Sequence, residues 1–287
     1  MSLKAPFPYF GGKSKVAHIV WEHFGDVPNY VEPFFGSGAV LLNRPHPVRT
    51  ETVNDADCFL SNFWRALAND PDGVARAADW PIIECDILAR HKWLLAQTDF
   101  RDKMRIDPDF YDVKIAGWWV WGLCAWIGGG WCHAESEQLP HLGGAGQDLA
   151  GYFGKLADRL RKTRVACGDW SRVLGDSCTF RHGMTGIFLD PPYAGARNQS
   201  YAVDSVNIAY DVREWAVANG DNPLLRIALC GYDSDDYRMP ENWHEVAWKA
   251  NGGFSNQADG EGRKNAHRER IWFSPHCNIM PLFLFTP

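Results

Sequence analysis

The alternation of apolar and polar positions divides the chain into three stretches. Between residues 28 and 70, a short apolar run leads into a glycine-containing turn and a helical segment, and a second run and helix follow. From about 72 to 160 the helical period dominates, except in the Gly- and Trp-rich segment 117–131, which fits neither period. From about 163 onward, short apolar runs return and alternate with helical or loop segments.

The short apolar runs are the predicted strands. They lie at 30–32, 51–53, 164–167, 186–189, 225–230, 245–248 and 270–273. Their alternation with helical segments predicts an α/β fold with a mostly parallel seven-stranded sheet that is covered on both faces. The sheet domain would comprise residues 1–57 and 161–287, with 58–160 inserted as a helical domain. Ligands of such sheets bind at the carboxyl ends of the strands.

Composition changes this picture little. The 287 residues are 46% hydrophobic and 22% charged, which is ordinary globular usage. Eight cysteines without a CxxC pair, and no apolar run of membrane-spanning length, favour a soluble cytoplasmic protein. A net charge of −6 argues against unspecific binding to nucleic acid, although basic clusters at 159–164 and 263–270 leave room for a local basic face.

The first candidate for chemistry is the turn 32–38, with sequence EPFFGSG, between a predicted strand and a predicted helix. Glycines at such a turn let the backbone approach a ligand. Gly36 and Gly38 lack the third glycine of the dinucleotide fingerprint, which disfavours nicotinamide and flavin cofactors. A tight structural turn would explain the two glycines equally well.

The second candidate is Asp55, which follows the next predicted strand about 20 residues after the glycine turn. A carboxylate at this place can accept hydrogen bonds from ribose hydroxyls. The alternative is a helix cap for the segment that begins near Cys58. The preceding glycine turn favours the ribose.

The third candidate is Asp190-Pro191-Pro192-Tyr193, directly after the predicted strand 186–189. Two prolines fix the backbone and remove amide donors, so that carbonyls are free to accept. The carboxylate and a proline carbonyl can then accept both hydrogens of an amino group on a flat base, while the tyrosine ring stacks on the base. A rigid turn at the end of the strand is the alternative.

Taken in order, these motifs resemble the DNA adenine methylases of the Dam type, the D12 class. Residues 8–13 resemble the N-terminal signature of that family, 31–38 its cofactor loop and Asn54-Asp55 its ribose-binding acid. Residues 167–170 resemble the acidic turn beside the cofactor adenine, and 190–193 the catalytic tetrapeptide. The resemblance extends from the first residues to the final predicted strand.

The resemblance implies a Rossmann-like class I methyltransferase that transfers a methyl group from S-adenosylmethionine to the N6 amino group of a flipped-out adenine in double-stranded DNA. Segment 58–160 would be the target-recognition domain. The implied catalytic residues are Asp190, Pro191, Pro192 and Tyr193. The implied cofactor-binding residues are Tyr9, Gly12, Lys13, Glu32, Pro33, Phe34, Gly36, Ser37, Gly38, Asp55, Asp169, Trp170 and Asp190.

For contacts with nucleic acid we predict Trp131, Arg197, Lys264 and Arg268. The family usually has polar, Asn-rich sequence where this chain has the Trp- and Gly-rich segment 117–131, so the DNA target sequence stays open. The oligomeric state stays open as well. A cognate restriction endonuclease is a further partner that the resemblance suggests.

Other chemistries fit less well. Gly11-Gly12-Lys13-Ser14 lacks the earlier glycine of a phosphate-binding loop, because position 7 is Phe. The residues Cys124, Cys132, His133 and His141 lack the paired spacing of zinc ligands, and we predict no metal. Methylation of cytosine N4 or of adenine in RNA remains an alternative, because both present the same amino group. A noncatalytic nucleic-acid-binding module of the same fold is another.

Overall fold

The computed structural model describes residues 3–7, 13–107, 109–126, 131–132, 149–192, 205–233, 237–248 and 268–278. The strands are β1 (Asn29–Glu32), β2 (Thr50–Asp55), β3 (Thr163–Cys167), β4 (Thr185–Leu189), β5 (Leu225–Tyr232), β6 (His244–Ala247) and β7 (Glu269–Phe273). The α-helices are α1 (Ala17–Phe24), α2 (Ala39–Leu42), α3 (Cys58–Asn69), α4 (Pro71–Ala78), α5 (Glu84–Leu95), α6 (Phe100–Ile106), α7 (Val113–Ala125), α8 (Leu149–Leu160) and α9 (Ser205–Asn219). Short 3₁₀ helices lie at Lys13–Lys15, Trp170–Val173 and Phe180–His182.

The seven strands form one sheet in the order β3-β2-β1-β4-β5-β7-β6. Only β7 runs antiparallel to its neighbours. This arrangement confirms the predicted Rossmann-like, mostly parallel sheet. The chain builds outward from β1 on one side and from β4 on the other, so that the order reverses between these two strands. Ligands of open α/β sheets bind at such a reversal, beyond the carboxyl ends of the strands.

Both faces of the sheet are covered, because alternate residues of each strand point to opposite sides. In β4, Phe188 belongs to a core that includes Val20 of α1 and Phe63 of α3. Ile187 belongs to the opposite core, which includes Val212 of α9. The near-continuous burial of β1 and β4 is that of strands covered on both faces.

Aspartate caps define the starts of several helices between β2 and β3. Asp57 accepts a hydrogen bond from the backbone N–H of Phe59 at 2.8 Å and begins α3. Asp70 caps α4, whose first residue is a proline, and Asp112 caps α7. Each cap satisfies a backbone donor that would otherwise be unpaired at a helix start.

Helices α3 to α8 lie between β2 and β3 in the sequence and pack in the same core as the sheet. Phe63 of α3, Trp119 of α7 and Phe153 of α8 belong to the same cluster as Tyr30 of β1. The division into domains at residues 57 and 161 stays a prediction. None of the described helices combines the length and apolar character that crossing a bilayer requires.

The Gly- and Trp-rich segment 117–131, which fitted neither period, is helical as far as Ala125. Apolar residues lie on every side of α7, so that it shows no amphipathic period. Its glycines allow close packing: a Cβ at Gly117 would lie 2.4 Å from the Cβ of Ala77 on α4. Helix α7 is therefore a core helix.

A buried carboxylate fastens the helices to the sheet. Glu51 of β2 accepts hydrogen bonds from Arg44 at 3.0 Å, from Arg159 at 2.7 and 2.9 Å, and from Thr163 at 2.9 Å. Arg159, which the sequence placed in a basic cluster, thus turns inward from α8. The network joins β2, β3 and α8.

We expect the substitution Glu51→Ala to lower the free energy of unfolding by about 3–5 kcal/mol, because it leaves two guanidinium groups buried without their counter-charge. Urea unfolding at pH 7 measures the loss. The control is Asp158→Ala, which removes the exposed ion pair between Asp158 of α8 and Arg161 just after that helix and should cost less than about 1 kcal/mol. Equal losses in the two variants would contradict this assignment.

Candidate functional site

The glycine turn after β1 is held in a fixed shape. Gly36 and Gly38 have φ values of 48° and 69°, in the left-handed region that favours glycine. The backbone N–H of Phe35 donates to the carbonyl of Asn54 at 3.0 Å, and Gly38 N–H donates to Phe35 at 2.9 Å. The indole N–H of Trp64 donates to the carbonyl of Gly36 at 3.3 Å. The turn is thereby tied to the end of β2 and to α3.

Asp55 connects this turn to the end of β2. Its Oδ2 accepts from the backbone N–H of Gly36 at 3.0 Å, and its Oδ1 accepts from that of Asp57 at 2.9 Å. Burial, and then the charge of Asp57, raise the pKa of Asp55 to about 7, against the lowering effect of the two N–H donors. Because Asp57 caps α3, the cap that was the alternative for Asp55 belongs to Asp57 instead.

The end of β3 lies beside Asp55. Gly168 N–H donates to the carbonyl of Asp55 at 3.0 Å, and the side-chain amide of Asn54 donates to the carbonyls of Gly168 and Pro33 at 3.0 and 3.1 Å. Asn54 thus joins the turns that follow β1 and β3. The predicted residues around them lie at one edge of the sheet.

Asp169 and Trp170 follow in the turn after β3. Asp169 is exposed, and its Oδ1 accepts from the backbone N–H of Ser171 at 2.9 Å, which caps a 3₁₀ helix. The ring of Trp170 faces the ring of Phe34 with 6.3 Å between centroids and an angle of 25° between planes. Both rings are partly exposed, so that they offer apolar surface at the mouth of the glycine turn.

The corner after β4 contains a buried ion pair. Lys13 Nζ lies 2.7 Å from Asp190 Oδ2, with side chains that are 5% and 19% exposed. Burial lowers the pKa of Lys13, but the charge of Asp190 and other acidic neighbours outweighs it, so that the pKa is raised above its ordinary value. The Lys13 ammonium also lies 5.4 Å from the ring centroid of Trp248. Lys13 therefore carries a full charge beside Asp190 at neutral pH.

The two corners meet at the reversal point of the sheet. Glu32, at the end of β1, is buried and accepts a hydrogen bond from the hydroxyl of Tyr30 at 2.8 Å. Burial raises the pKa of Glu32 well above its usual range; the Tyr30 hydroxyl opposes this shift, and the charge of Asp190 adds to it. Because β1 and β4 are neighbouring parallel strands, Glu32 and Asp190 lie at the same edge of the sheet.

Glu269, the first residue of β7, is a residue of this corner that was not predicted from the sequence. Its side chain is 7% exposed, and its Oε2 has no hydrogen-bond partner among the described residues. Burial raises the pKa of Glu269 to about 7, with Lys13 lowering it and Asp190 raising it. A carboxylate at the border of an apolar strand was the only signal, and the predicted strand began one residue later, at 270.

The remaining predicted residues divide into two groups. Tyr9, Gly12, Tyr193, Arg197 and Lys264 lie outside the described residues, as do His133 and His141. The structure brings the others together at the sheet edge: Lys13, Glu32, Pro33, Phe34, Gly36, Ser37, Gly38, Asp55, Asp169, Trp170 and Asp190, with Pro191 and Pro192 directly after Asp190. In the described part of the chain, no group of three or more His, Cys, Asp or Glu side chains could hold a metal ion.

Two of the residues predicted to contact nucleic acid lie in the described part of the chain, and they differ in exposure. Trp131 is 4% exposed, and its indole N–H donates to the carbonyl of Trp119 at 3.0 Å. The prediction of DNA contact for Trp131 is therefore wrong, because the ring fills the space beside Gly122 in the core and offers no free face. Arg268 is exposed and lies beside Tyr232 and Asp233. Contact of Arg268 with nucleic acid stays a prediction.

A family model matches part of the chain. Residues 9–86 match the model of the D12 class N6 adenine-specific DNA methyltransferase family. The match spans Lys13, the glycine turn and Asp55, and it confirms the predicted resemblance over these residues. It supports adenine-specific DNA methylation, an enzymatic activity that requires a methyl donor. A search of the curated proteins found no match.

We expect Gly38→Ala to destabilise the protein by about 1–2 kcal/mol or more, because alanine is strained in a left-handed conformation and its Cβ would lie 2.8 Å from the Phe35 ring. The control is Gly154→Ala on α8, where a Cβ would meet nothing within 4 Å. That change should stabilise the protein by about 0.5–1 kcal/mol. Thermal unfolding measures both, and a neutral Gly38→Ala would contradict the described turn.

Proposed function

We propose that this chain methylates the N6 amino group of adenine in double-stranded DNA and takes the methyl group from S-adenosylmethionine. The observation that carries the proposal is the meeting of two corners at the reversal between β1 and β4: the glycine turn with Asp55, and the Lys13–Asp190 ion pair. A cofactor site and a base site there would be close enough for one methyl group to pass between them.

The residues around the glycine turn suit S-adenosylmethionine. Each oxygen of Asp55 accepts one backbone N–H, so that each keeps a lone pair for a ribose hydroxyl. The partly exposed rings of Phe34 and Trp170 offer apolar surface for the adenine ring, with Asp169 beside them. Lys13 would lie at the methionine end. When bound, the cofactor supplies an electrophilic methyl group on a sulfonium.

The chain's part in the reaction follows from Asp190. The adenine amino nitrogen is a poor nucleophile because its lone pair is delocalised into the ring. Lys13 Nζ lies 2.7 Å from Asp190 Oδ2 and so fixes the direction of the carboxylate, which would accept one amino hydrogen. The carbonyl of Pro191 would accept the other. These two hydrogen bonds favour a nitrogen with a localised lone pair, aimed at the methyl group.

A base inside a duplex cannot reach this corner, so the target adenine must be flipped out, with Tyr193 as its stacking partner in the proposal. Helices α3 to α8 would provide target recognition. Cations and aromatic rings alternate on their surface: the Lys114 ammonium lies 4.3 and 4.4 Å from the ring centroids of Trp93 and Trp118. Such surfaces suit phosphates and bases. A cytoplasmic location and a cognate restriction endonuclease stay predictions.

The proposal predicts that the wild-type protein transfers labelled methyl groups to duplex DNA and that Asp190→Ala abolishes the transfer. We expect a loss of about 100-fold or more, because the amino group loses its carboxylate acceptor. Nucleoside mass spectrometry locates the label. Calorimetry should show cofactor affinity retained, since the glycine turn and Asp55 are unchanged.

Because Asp190→Ala leaves Lys13 without its counter-charge, the matched variant Lys13→Met/Asp190→Ala removes both charges and guards against loss of the fold. It should be folded and equally inactive. Label in N4-methylcytosine, or in RNA alone, would overturn the adenine and DNA assignments. Near wild-type turnover by Asp190→Ala would overturn the role of Asp190.

The proposed role of Asp55 predicts that cofactor affinity depends on pH. Ribose hydroxyls bind an ionised carboxylate more strongly than a neutral one, and the pKa of Asp55 is raised to about 7. Binding should therefore tighten as pH rises through about 7, by about ten-fold between pH 6 and 8.

Calorimetry over this range provides the measurement. Asp55→Asn should bind more weakly and without this dependence. Asp57→Asn removes the charge that raises the pKa of Asp55 but retains a side chain that can cap α3, so that the transition should move to lower pH. Unchanged pH dependence in Asp55→Asn would show that another group is responsible.

A further inference from the structure

Glu269 lies in a row of residues that extends the candidate site across the sheet. Strand pairing places Tyr232 of β5 opposite Glu269, and the backbone N–H of Trp248 donates to the carbonyl of Glu269 at 3.2 Å. Neighbours in register point to the same face of a sheet. Glu269 shares its face with Ile271 and Phe273, which pack in the same core as Phe188 of β4.

Asp190 reaches this face from β4. It follows Phe188 at an interval of two residues, and the pairing of Leu189 with Leu229 places Cys230 at the level of Asp190. The charges of both Lys13 and Asp190 act on Glu269. One cation and two carboxylates therefore share a buried corner.

The energetics of Glu269 need an explanation. A carboxylate that is 7% exposed, with an oxygen that lacks a hydrogen-bond partner, is costly compared with a neutral residue at this position. Nε1 of Trp248, the residue after β6, is also buried without a partner in the described residues. A purely structural position at the start of a strand would not require a charge.

We propose that Glu269 is a positioning residue for methyl transfer, whose ionised carboxylate offsets the charge of Lys13 and so keeps Asp190 a strong acceptor for the adenine amino group. The inference rests on the proposed function. Glu269 acts through Lys13 and Asp190, without contact with the base.

The chemistry shows why this offset matters. The N6 lone pair forms the new bond to the methyl carbon, and the electron pair of the broken bond stays on sulfur. Positive charge thereby moves onto N6. A proton then passes from N6 to Asp190 and on to solvent, and the electron pair of that N–H bond stays on nitrogen. The charge of Lys13 opposes the positive charge that develops on N6. An ionised Glu269 offsets the charge of Lys13 and so favours the cationic nitrogen.

The groups that surround Glu269 set its titration. Among the described residues, Lys13 of the first 3₁₀ helix favours the ionised form, while Asp190 after β4 and burial oppose it. Cys230 and Tyr232 of β5 face the same corner. Burial raises the pKa of the Cys230 thiol and of the Tyr232 hydroxyl, so that both groups are neutral near pH 7. Glu32, at the end of β1, also acts on Cys230 here, and burial raises the pKa of Glu32 well above its usual range. The variant Glu269→Gln separates the titration of Glu269 from that of Glu32.

The first test is the pH dependence of kcat at saturating cofactor and DNA, which excludes effects of cofactor binding through Asp55. In the wild-type protein kcat should rise as pH increases through about 7. Glu269→Gln should lower kcat about ten-fold at pH 8 and remove the rise. Glu269→Asp should restore the rise in part. A merely structural role would leave the profile unchanged.

The matched control is Glu245→Gln. Glu245 lies on β6 and its carboxylate accepts from Arg270 at 2.8 Å and from the indole of Trp272 at 3.1 Å, on the opposite face of the sheet. The Glu245→Gln variant should retain the pH profile of kcat that the wild-type protein shows. An acid limb that persists in Glu269→Gln would overturn the proposal for Glu269.

The second test needs neither cofactor nor DNA. A raised carboxyl pKa in the folded state stabilises the protein below the unfolded pKa, and this stability is lost as pH rises through about 7. Urea unfolding of wild type should show this loss, and Glu269→Gln should show less of it, with the remainder due to the raised pKa values of Asp55 and Glu32. Identical pH dependence of unfolding in both proteins would overturn the assigned titration.

The two proposals can fail separately. If wild-type protein transfers no methyl group to adenine in DNA, the proposed function fails, and the role of Glu269 in it fails too, whatever the unfolding data show. If transfer occurs and Asp190→Ala abolishes it, while Glu269→Gln retains full turnover and the acid limb, only the inference about Glu269 fails.

Discussion

The site depends on the ion pair between Lys13 and Asp190. A lysine that is 5% exposed requires a counter-charge, and a carboxylate at the end of a buried strand requires a partner to fix its direction. The pair meets both requirements and joins the N-terminal 3₁₀ helix to the exit of β4. Since Lys13 precedes α1 and Asp190 follows the central strand, the same contact holds this 3₁₀ helix at the edge of the sheet where the strand order reverses.

A second set of contacts aligns the cofactor side of this edge. Asp55 and Asn54, adjacent residues at the end of β2, reach in different directions: the carboxylate of Asp55 to Gly36, and the amide of Asn54 to the carbonyls of Pro33 and Gly168. These hydrogen bonds therefore tie together the ends of β1, β2 and β3. Buried acids at this edge, Glu32 and Asp55, have raised pKa values because desolvation outweighs their hydrogen bonds. The carboxyl group of Asp55 therefore both fixes the backbone of the glycine turn and contributes to the charge at this edge.

The sequence predicted the strands well because each is a short apolar run next to a turn, and this signal is local. Asp190 and Gly36 were found for the same reason, since each follows its strand directly. The predictions failed for residues whose surroundings are formed by distant parts of the chain. Trp131 appeared available for DNA, yet it fills space next to Gly122, and the helical nature of 117–125 was hidden because α7 is apolar on all sides. Glu269 was missed because nothing in its neighbourhood along the chain indicates the charges of Lys13 and Asp190.

The sequence by itself determined the order of strands and turns, the α/β class and the chemical types at the strand exits, because alternation, glycine turns and proline pairs act over a few residues. Only the tertiary structure decided which exits lie side by side, that Asp57 rather than Asp55 caps α3, and that Lys13, Asp190 and Glu269 share one corner. The physical reason is that sheet order and burial depend on contacts between residues far apart in the chain. Charges interact through space, and their neighbours are fixed only when the sheet forms.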